Sequence, residues 1–318
     1  MAEIRYPQTV LFYRDFMRYT GGHQKVFDYF NHIDQHPSFE ARIAFSERTV
    51  WDESNPWYPD YQSRQVPFEP LKYCLLFMAG RDWLILDEGV EAARLVINLI
   101  QHVRHADPSH LLYRFLNRRA IRIAVSPEVA QAIRETGRVN GPVITIDNGH
   151  GMPDVLRKKE YDFYVLGNKN PGLAQELAKD LTEHAFRVVC SVQAIPRDRV
   201  MENMARSEIS VVLPNPKEAE GFFLPALEAM KYSNLAIVPD CVGNRSFCFH
   251  EQNCLMPEYD RQSLLQACRA GYALLQDPDL KNVIKEHSRT TVARHTLERE
   301  REAFYRVLDH LHEYGASA

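Results

Sequence analysis

Two glutamates, Glu220 and Glu228, are separated by seven residues in the segment EGFFLPALEAM. Pro225 suits the first turn of a helix, where a missing N–H group costs nothing, and the apolar residues around it recur at helical spacing. Glu220 therefore precedes the helix, and Glu228 lies about one turn inside it. The first N–H groups of such a helix bind anions, and here they would point between the two carboxylates from Phe222, Phe223 and Leu224. This arrangement suits a ligand with phosphate in its middle and hydroxyl groups at both ends.

Two short apolar runs flank this segment and predict the elements that position it. Ile209–Pro214 and Leu235–Pro239 are apolar, contain β-branched residues and end in proline, which favours buried parallel strands. The loop Asn215–Gly221 then lies at the carboxyl end of a strand, where open α/β sheets bind their ligands. A nucleotide-sugar has the chemistry that such a site requires.

The segment EGFFLPALEAM resembles the E-x7-E motif of retaining GT-B glycosyltransferases, in particular the large GT4-like group (glycosyl transferases group 1). The resemblance implies that Glu228 holds the ribose diol of a nucleoside-diphosphate sugar and that Glu220 acts in catalysis on the sugar hydroxyls. It also implies donor contacts from Gly221, Phe222, Phe223 and Leu224. The family often has glycine where this chain has Phe223. The alternative is an ordinary helix with two solvated glutamates.

Composition narrows the class of protein. The chain has 318 residues, enough for two domains of ordinary size, and its 45% hydrophobic and 25% charged residues are typical of a soluble globular protein. A net charge of −4 gives no reason to expect a nucleic-acid partner. The start MAEIRYPQTV lacks a signal-peptide pattern, and no apolar run is long enough to cross a bilayer. The six cysteines lack the C-x2-C spacing of a zinc site. We therefore expect a cytoplasmic protein with reduced thiols.

A pair of glycines, Gly21 and Gly22, follows a strand predicted over Thr9–Tyr13 and precedes a helix that begins near His23. Strand, glycine pair and helix allow the backbone to approach a phosphate closely. The pair is not the G-x-G-x-x-G fingerprint, which argues against a dinucleotide-dependent dehydrogenase. A glycine-rich loop at this position faces the donor phosphates in GT4-like enzymes, so the resemblance implies that both glycines bind the donor.

A long stretch without periodicity, residues 47–71, follows the next predicted strand, Glu40–Ser46. Loops of this length inside a compact domain are usually functional. Aromatic faces suit sugar rings, so we predict acceptor binding by Trp51, Trp57, Tyr58 and Arg64. The alternative is that the aromatic side chains pin the loop onto the domain.

Two histidines, His102 and His105, follow the predicted strand Leu95–Gln101. Similar enzymes place a histidine at the end of a comparable strand, so the resemblance implies a catalytic contact with the transferred sugar. The sequence leaves open which histidine makes it, and His102, nearer the strand, is the first choice.

The second half of the chain repeats the alternation of strands and helices, which is typical of a parallel sheet. Lys169 follows a strand predicted at Asp162–Gly167, and Arg245 follows the strand Leu235–Pro239. Both cations are predicted to neutralise the donor diphosphate. The family commonly has arginine where this chain has Asn168.

These patterns predict the GT-B architecture, an α/β fold with two Rossmann-like domains whose parallel sheets face a central cleft. We place an N-terminal acceptor domain at residues 1–152 and a C-terminal donor domain at residues 153–299. The last helix, about 300–318, is expected to pack back on the N-terminal domain through an apolar stripe formed by Phe304, Val307, Leu308 and Leu311.

The implied activity is retaining glycosyl transfer from a nucleoside-diphosphate sugar to a hydroxyl of a glycan or lipid-linked glycan, as in polysaccharide biosynthesis. A lipid-linked acceptor would be met by a peripheral protein at the inner face of a membrane. No Asp-x-Asp sequence has neighbours suited to a metal–diphosphate site, so we expect no metal and no cofactor beyond the nucleotide-sugar co-substrate. Two alternatives stay open, namely a sugar-nucleotide epimerase or phosphorylase of the same fold, and a non-catalytic sugar-nucleotide-binding subunit.

Overall fold

The computed structural model describes residues 8–58 and 60–316, which divide into two compact units. The N-terminal unit comprises the described residues up to Asp147 and those from Leu297 onward, and the C-terminal unit runs from Asn148 to Thr296. The divisions predicted from the sequence, after residues 152 and 299, lie a few residues further along the chain. The start of the sequence up to Pro7, Pro59 in the long loop and the last two residues of the predicted final helix lie outside the described residues.

The N-terminal unit is built on a parallel sheet of six strands in the order β2-β1-β3-β4-β5-β6. Numbered along the chain, these are β1 (Gln8–Arg14), β2 (Phe39–Phe45), β3 (Leu75–Ala79), β4 (Leu95–Ile100), β5 (Ile121–Ala124) and β6 (Val143–Thr145). The chain leaves β1 for β2 on one side and then crosses to β3 on the other. The carboxyl ends of β1 and β3 therefore form the switch point at which such sheets bind ligands.

Helices from both ends of the sequence pack in this unit. They are α1 (Gly21–Asp34), α2 (Val90–Ala93), α3 (Pro127–Glu135), α9 (Leu297–Asp309) and α10 (Leu311–Ala316). Phe304, Val307 and Leu308 of α9 are buried in the same core as strands β1 and β3, and Leu311 packs partly buried against it. The end of the chain thus contributes to the N-terminal core through the apolar stripe seen in its sequence.

The C-terminal unit has a four-stranded parallel sheet in the order β10-β9-β7-β8. Its strands are β7 (Tyr161–Leu166), β8 (Val188–Ser191), β9 (Ser207–Val212) and β10 (Leu235–Ile237). Its helices are α4 (Pro171–Glu183), α5 (Arg197–Arg206), α6 (Leu224–Tyr232), α7 (Arg261–Leu274) and α8 (Pro278–Arg294). The predicted α/β class with two parallel sheets is confirmed.

All six cysteines are free thiols; Cys248, Cys254 and Cys268 are buried, whereas Cys74 is exposed. Within the described ranges, no helix combines the length and the apolar character needed to cross a membrane.

Candidate functional site

Lys169 and Glu220 form an ion pair at the carboxyl edge of the C-terminal sheet. Lys169 follows β7, Glu220 lies between β9 and α6, and β7 and β9 are neighbouring strands. The Nζ atom of Lys169 is 2.5 Å from Oε1 of Glu220, and the two side chains remain 33% and 20% exposed. The pair marks the switch point of this sheet, because the chain leaves β7 for β8 on one side and returns to β9 on the other. The structure thus brings two of the predicted site residues into direct contact.

Glu228, the second glutamate of the motif, is only 3% exposed. Its Oε1 atom accepts a hydrogen bond from Nε of Arg197 at 2.7 Å. Arg197 is the first residue of α5, and its Nη2 atom also donates to the Gly151 carbonyl at 3.0 Å. Burial raises the pKa of Glu228, and the Arg197 charge offsets part of this rise. Arg197 therefore stabilises the carboxylate and fixes its orientation.

The start of α6 is the predicted anion site, and the structure corrects one of its donors. The N–H of Phe223 donates to the Gly243 carbonyl at 2.8 Å, so it is not available to a ligand. The prediction that Phe223 contributes a free N–H group is therefore wrong. The N–H groups of Phe222 and Leu224 make no backbone hydrogen bond within the described part of the chain, and they remain candidates.

The side chains at this helix start are mostly internal. Phe223 is 1% exposed, and the Lys169 Nζ atom lies 5.0 Å from the centre of its ring. The Phe222 ring lies 4.9 Å from Phe247 and 5.4 Å from His295, measured between ring centres. Gly221 is buried, and Leu224 packs partly buried against the core of this unit. A ligand at this place would meet backbone and the Lys169–Glu220 pair rather than the phenylalanine rings.

The turn after β10 positions the loop that carries Glu220. Asn244 is fully buried, and its amide donates to the Pro239 carbonyl at 3.0 Å and accepts from the Cys241 N–H at 3.1 Å. A Cβ atom at Gly243 would lie 2.8 Å from both the Glu220 Cβ and the Phe223 backbone nitrogen. Real Cβ atoms do not approach backbone this closely, so the position requires glycine.

Replacing Gly243 by alanine is expected to lower the free energy of unfolding by about 1–3 kcal/mol, because the added methyl group displaces the Glu220 loop. Gly172→Ala provides the matched control, since a Cβ at Gly172, in α4, would meet no atom within 4 Å. Alanine there is expected to be neutral or slightly stabilising. Urea unfolding compares the two variants, and equal stabilities would contradict the close contact at Gly243.

Arg245, the other predicted diphosphate cation, follows the same turn and pairs with Asp240. Its Nη2 atom lies 2.6 Å from Asp240 Oδ2, and both side chains are about half exposed. A phosphate group would have to compete with Asp240 for this arginine. A donor contact from Arg245 stays a prediction.

Gly21 and Gly22 are the first two residues of α1 in the N-terminal unit. Thr20 caps this helix by accepting a hydrogen bond from the His23 N–H. A Cβ at Gly21 would meet nothing within 4 Å, and one at Gly22 would make an ordinary contact of 3.6 Å with Gln101. Packing therefore does not require glycine at either position, and their role at a phosphate stays a prediction.

His102 and His105 follow β4 but differ in exposure. The Nδ1 atom of His102 accepts from the Arg104 N–H at 3.0 Å and so orders the turn after the strand. His105 is 5% exposed, and burial together with the charges of His102 and His110 lowers its pKa to about 3. His105 is the more buried of the two, so His102 stays the first choice, and contact of either histidine with a sugar stays a prediction.

The loop at residues 47–71 contains both buried and exposed aromatic side chains. Trp57 is fully buried and packs edge-on against Phe27 and Phe45, with ring centres 5.2 and 5.7 Å away. The prediction that Trp57 offers its face to a sugar is therefore wrong, and this side chain pins the loop onto the domain instead. Trp51 and Tyr58 are 40% and 42% exposed and remain candidates for acceptor binding.

Arg64 also holds this loop in place. Its guanidinium lies 2.9 Å from an oxygen of Asp34 in α1 and 3.2 Å from one of Glu40 in β2. Two carboxylates thus share its charge, and a role in acceptor binding stays a prediction.

Arg197 and Gly243 were not predicted as site residues. A buried carboxylate on a helix needs a cationic partner, so Glu228 indicated that such a residue exists. That Arg197 is this partner depends on how α5 and α6 pack, which the sequence does not show. Among the described residues, no group of three or more histidine, cysteine, aspartate or glutamate side chains is placed to hold a metal ion. Metal independence nevertheless stays a prediction.

Similarity to known proteins is found in structure and not in sequence. No protein-family model matches the sequence, and no curated protein matches it. The crystal structure of HepE from Anabaena in complex with UDP and glucose aligns with a TM-score of 0.71 at 13% sequence identity, over 95% of this chain and 99% of that chain. Sucrose-phosphate synthase from Thermosynechococcus elongatus aligns with a TM-score of 0.66 at 13% identity, over 96% and 99% of the two chains.

A third solved structure, the apo form of the lipopolysaccharide outer core galactosyltransferase WaaB, aligns with a TM-score of 0.65 at 10% identity, over 95% and 99% of the two chains. These structural neighbours are GT-B glycosyltransferases. At such identities the likeness establishes the fold, so this chain has the α/β fold with two parallel sheets found in GT-B glycosyltransferases.

Proposed function

We propose that this chain is a retaining glycosyltransferase of the GT4-like type, which moves a sugar from a nucleoside-diphosphate sugar to an acceptor hydroxyl. The observation that carries the proposal is the Lys169–Glu220 pair at the switch point of the C-terminal sheet, directly before α6. A cation for a diphosphate, a carboxylate for sugar hydroxyls and the start of a helix meet at this one place. Burial of Glu228 against Arg197 also argues against a helix with two merely solvated glutamates.

The donor would be held along this edge of the sheet. Lys169 and the N–H groups of Phe222 and Leu224 neutralise the diphosphate. Glu220 already holds the Lys169 charge in place, so little reorganisation is needed when the donor arrives. Glu228, oriented by Arg197, accepts hydrogen bonds from the ribose diol. UDP is the nucleotide to test first, because the HepE structure contains UDP and glucose.

In the transfer step, the bond between the anomeric carbon and the donor phosphate oxygen breaks, and a bond to the acceptor oxygen forms with retention of configuration. The acceptor proton passes to the departing phosphate oxygen, so no side chain has to act as a strong base. Glu220 lies near the sugar, where positive charge develops, and His102 contacts the sugar hydroxyls. Catalysis then rests on positioning and on charge stabilisation, with cations and the helix start in place of a metal ion.

The acceptor is a glycan or a lipid-linked glycan, and Trp51 and Tyr58 are its candidate contacts in the N-terminal unit. We place the reaction in the cytoplasm, as a step of polysaccharide biosynthesis. Both side chains are partly exposed, which supports binding of a sugar through its apolar C–H surface.

A nucleoside diphosphate is expected to stabilise the protein without added Mg²⁺. At 100 times its dissociation constant, the free energy of unfolding should rise by about 2.7 kcal/mol through mass action. The free energy of unfolding, measured in EDTA with UDP, GDP, dTDP, ADP and the monophosphate CMP in turn, would identify the nucleotide that binds. Lys169→Gln should lose most of this gain, whereas Lys179→Gln, at an exposed lysine of α4, should keep it. Stabilisation that EDTA abolishes would contradict a metal-independent site.

Product analysis separates this proposal from its alternatives. An epimerase converts the nucleotide-sugar without any acceptor, and a phosphorylase cleaves a glycosidic bond with inorganic phosphate. A non-catalytic subunit binds the donor but neither hydrolyses nor transfers the sugar with any acceptor. A glycosyltransferase forms a new glycoside only when donor and acceptor are both present.

A further inference from the structure

A cavity of about 490 Å³ lies at the switch point of the N-terminal sheet, where β1 and β3 end. Most of its lining comes from the segment after β1, from the start of α1 and from the turn after β3, and Arg48 and Gln101 add to it from the segments after β2 and β4. All of these segments belong to the N-terminal unit, whereas Lys169 and Glu220 belong to the C-terminal unit. Its wall combines cationic and apolar side chains.

Arginines dominate the charge of this cavity. Four arginines and two aspartates line it, and Arg14 pairs with Asp82 and Arg48 with Asp15. The other two, Arg18 and Arg81, are exposed and have no acidic partner among the described residues. The cavity therefore has an excess of positive charge in a chain whose net charge is −4.

Apolar side chains line the same cavity. Met17, Leu84 and Ile85 are 52%, 47% and 37% exposed. A single exposed apolar residue needs no explanation, but three around one cavity indicate a binding surface. Next to unpaired arginines, they fit a ligand that carries both an anionic group and an apolar chain.

His23 adds a polar atom without a partner. It lines the cavity, and its Nδ1 atom is buried with no hydrogen-bond partner among the described residues. Burial and the nearby Arg14 charge lower the pKa of His23 to about 4, so the imidazole is neutral at neutral pH. Buried polar atoms of this kind are normally satisfied by a ligand or by water.

We propose that this cavity binds the phosphate or diphosphate group of a lipid-linked acceptor. Arg18 and Arg81 would donate to the phosphate oxygens, a geometry that the planar guanidinium favours. Met17, Leu84 and Ile85 would cover the first carbons of the lipid chain. The inference deepens the proposed function, on which the role as acceptor rests. A soluble neutral glycan offers neither the charge nor the chain that this cavity would recognise.

Geranyl phosphate, a short prenyl phosphate, is the probe, with geraniol and inorganic phosphate as its uncharged and chain-free counterparts. Calorimetric titration of the full chain should show binding of geranyl phosphate at least tenfold tighter than that of either counterpart. Arg18→Gln with Arg81→Gln, and separately Leu84→Ser with Ile85→Ser, should each weaken it at least tenfold. The controls Arg138→Gln and Leu71→Ser replace exposed residues of the same unit outside the cavity and should leave the affinity unchanged.

Affinity for geranyl phosphate that neither double substitution changes would overturn the inference. Equal binding of inorganic phosphate would also overturn it, because the lipid chain would then contribute nothing. Stabilisation by UDP, measured on the same samples, separates the two hypotheses. If UDP stabilises the protein but geranyl phosphate does not bind, only the inference fails. If geranyl phosphate binds through the arginines but no nucleotide binds, the lipid-phosphate site is supported and the proposed sugar transfer fails.

Discussion

Replacing Glu220 by glutamine is expected to lower kcat for sugar transfer by a factor of about 10²–10³, while the KM for the donor stays within a few-fold of the unchanged enzyme. The reason is the place of the carboxylate, beside Lys169 and before α6, where the sugar would develop positive charge as the phosphate leaves. A negative charge there stabilises the transition state more than the bound donor. Lys169 keeps its positive charge in this variant and can still bind the diphosphate, so donor binding should weaken little.

Glu228→Gln gives the contrasting result. The ribose takes no part in the chemistry, so losing this contact should weaken the bound donor and the transition state alike, and the donor KM should rise more than kcat falls. Glu218→Gln, at an exposed loop residue close to Glu220, is the matched control and should change neither constant. Steady-state kinetics on the folded variants measures kcat and the donor KM for each of them. If kcat for sugar transfer by Glu220→Gln is within a few-fold of the wild-type value, Glu220 takes no part in the chemical step.

The elements around this site could be predicted because their signals are local. The β-branched runs that became β9 and β10, and Pro225 in the first turn of α6, are readable without knowledge of distant residues. Boundaries were less certain where no such signal exists. The helix predicted to begin near His23 begins at Gly21, because Thr20 is its N-cap and accepts a hydrogen bond from the His23 N–H.

Contacts between distant segments could not be predicted in the same way. Lys169 and Glu220 were each recognised, but their pairing depends on the adjacency of β7 and β9. The N–H of Phe223 looked free because its partner, the Gly243 carbonyl, comes from the turn after the next strand. Arg197 was missed for the same reason.

The burial of individual aromatic residues in the loop at residues 47–71 could not be predicted from the sequence either. A sugar-binding face and a side chain that anchors a loop use the same residue types, so the sequence could not separate Trp57 from Trp51 and Tyr58. The structure separates them by exposure, because Trp57 meets the rings of Phe27 and Phe45 in the core. The acceptor hypothesis therefore now rests on fewer residues than the sequence proposed.

The second large effect concerns the attachment of α9 to α1 in the N-terminal unit. Lys25 is buried in α1, and its Nζ atom lies 3.1 Å from Glu300 of α9 and 3.0 Å from Asp28. Nε2 of His32 is 3.0 Å from the other carboxylate oxygen of Glu300. Burial alone would lower the pKa of Lys25, but Glu300 and Asp28 outweigh it and raise the pKa. The contribution of this charged lysine to stability is therefore present at neutral pH and lost only as the pH rises through that raised value.

Lys25→Met is expected to lower the free energy of unfolding by about 3–5 kcal/mol at pH 7, because two buried carboxylates lose their lysine partner. Protonation of one of them would relieve the uncompensated charge, so the loss should shrink as the pH falls. Urea unfolding at pH 7 and pH 5 measures both effects. Lys72→Met, which breaks an exposed pair with Glu69, is the matched control and should cost at most about 1 kcal/mol.

The double variant Lys25→Met/Glu300→Met tests whether charge or packing produces the loss. The double variant also removes the Glu300 carboxylate and adds apolar surface between α1 and α9, so that only Asp28 is left without its lysine partner and part of the lost stability should return. If Lys25→Met instead costs no more than Lys72→Met, the ion pair contributes little. In that case α9 would be held on the N-terminal core mainly by its apolar stripe, Phe304, Val307 and Leu308.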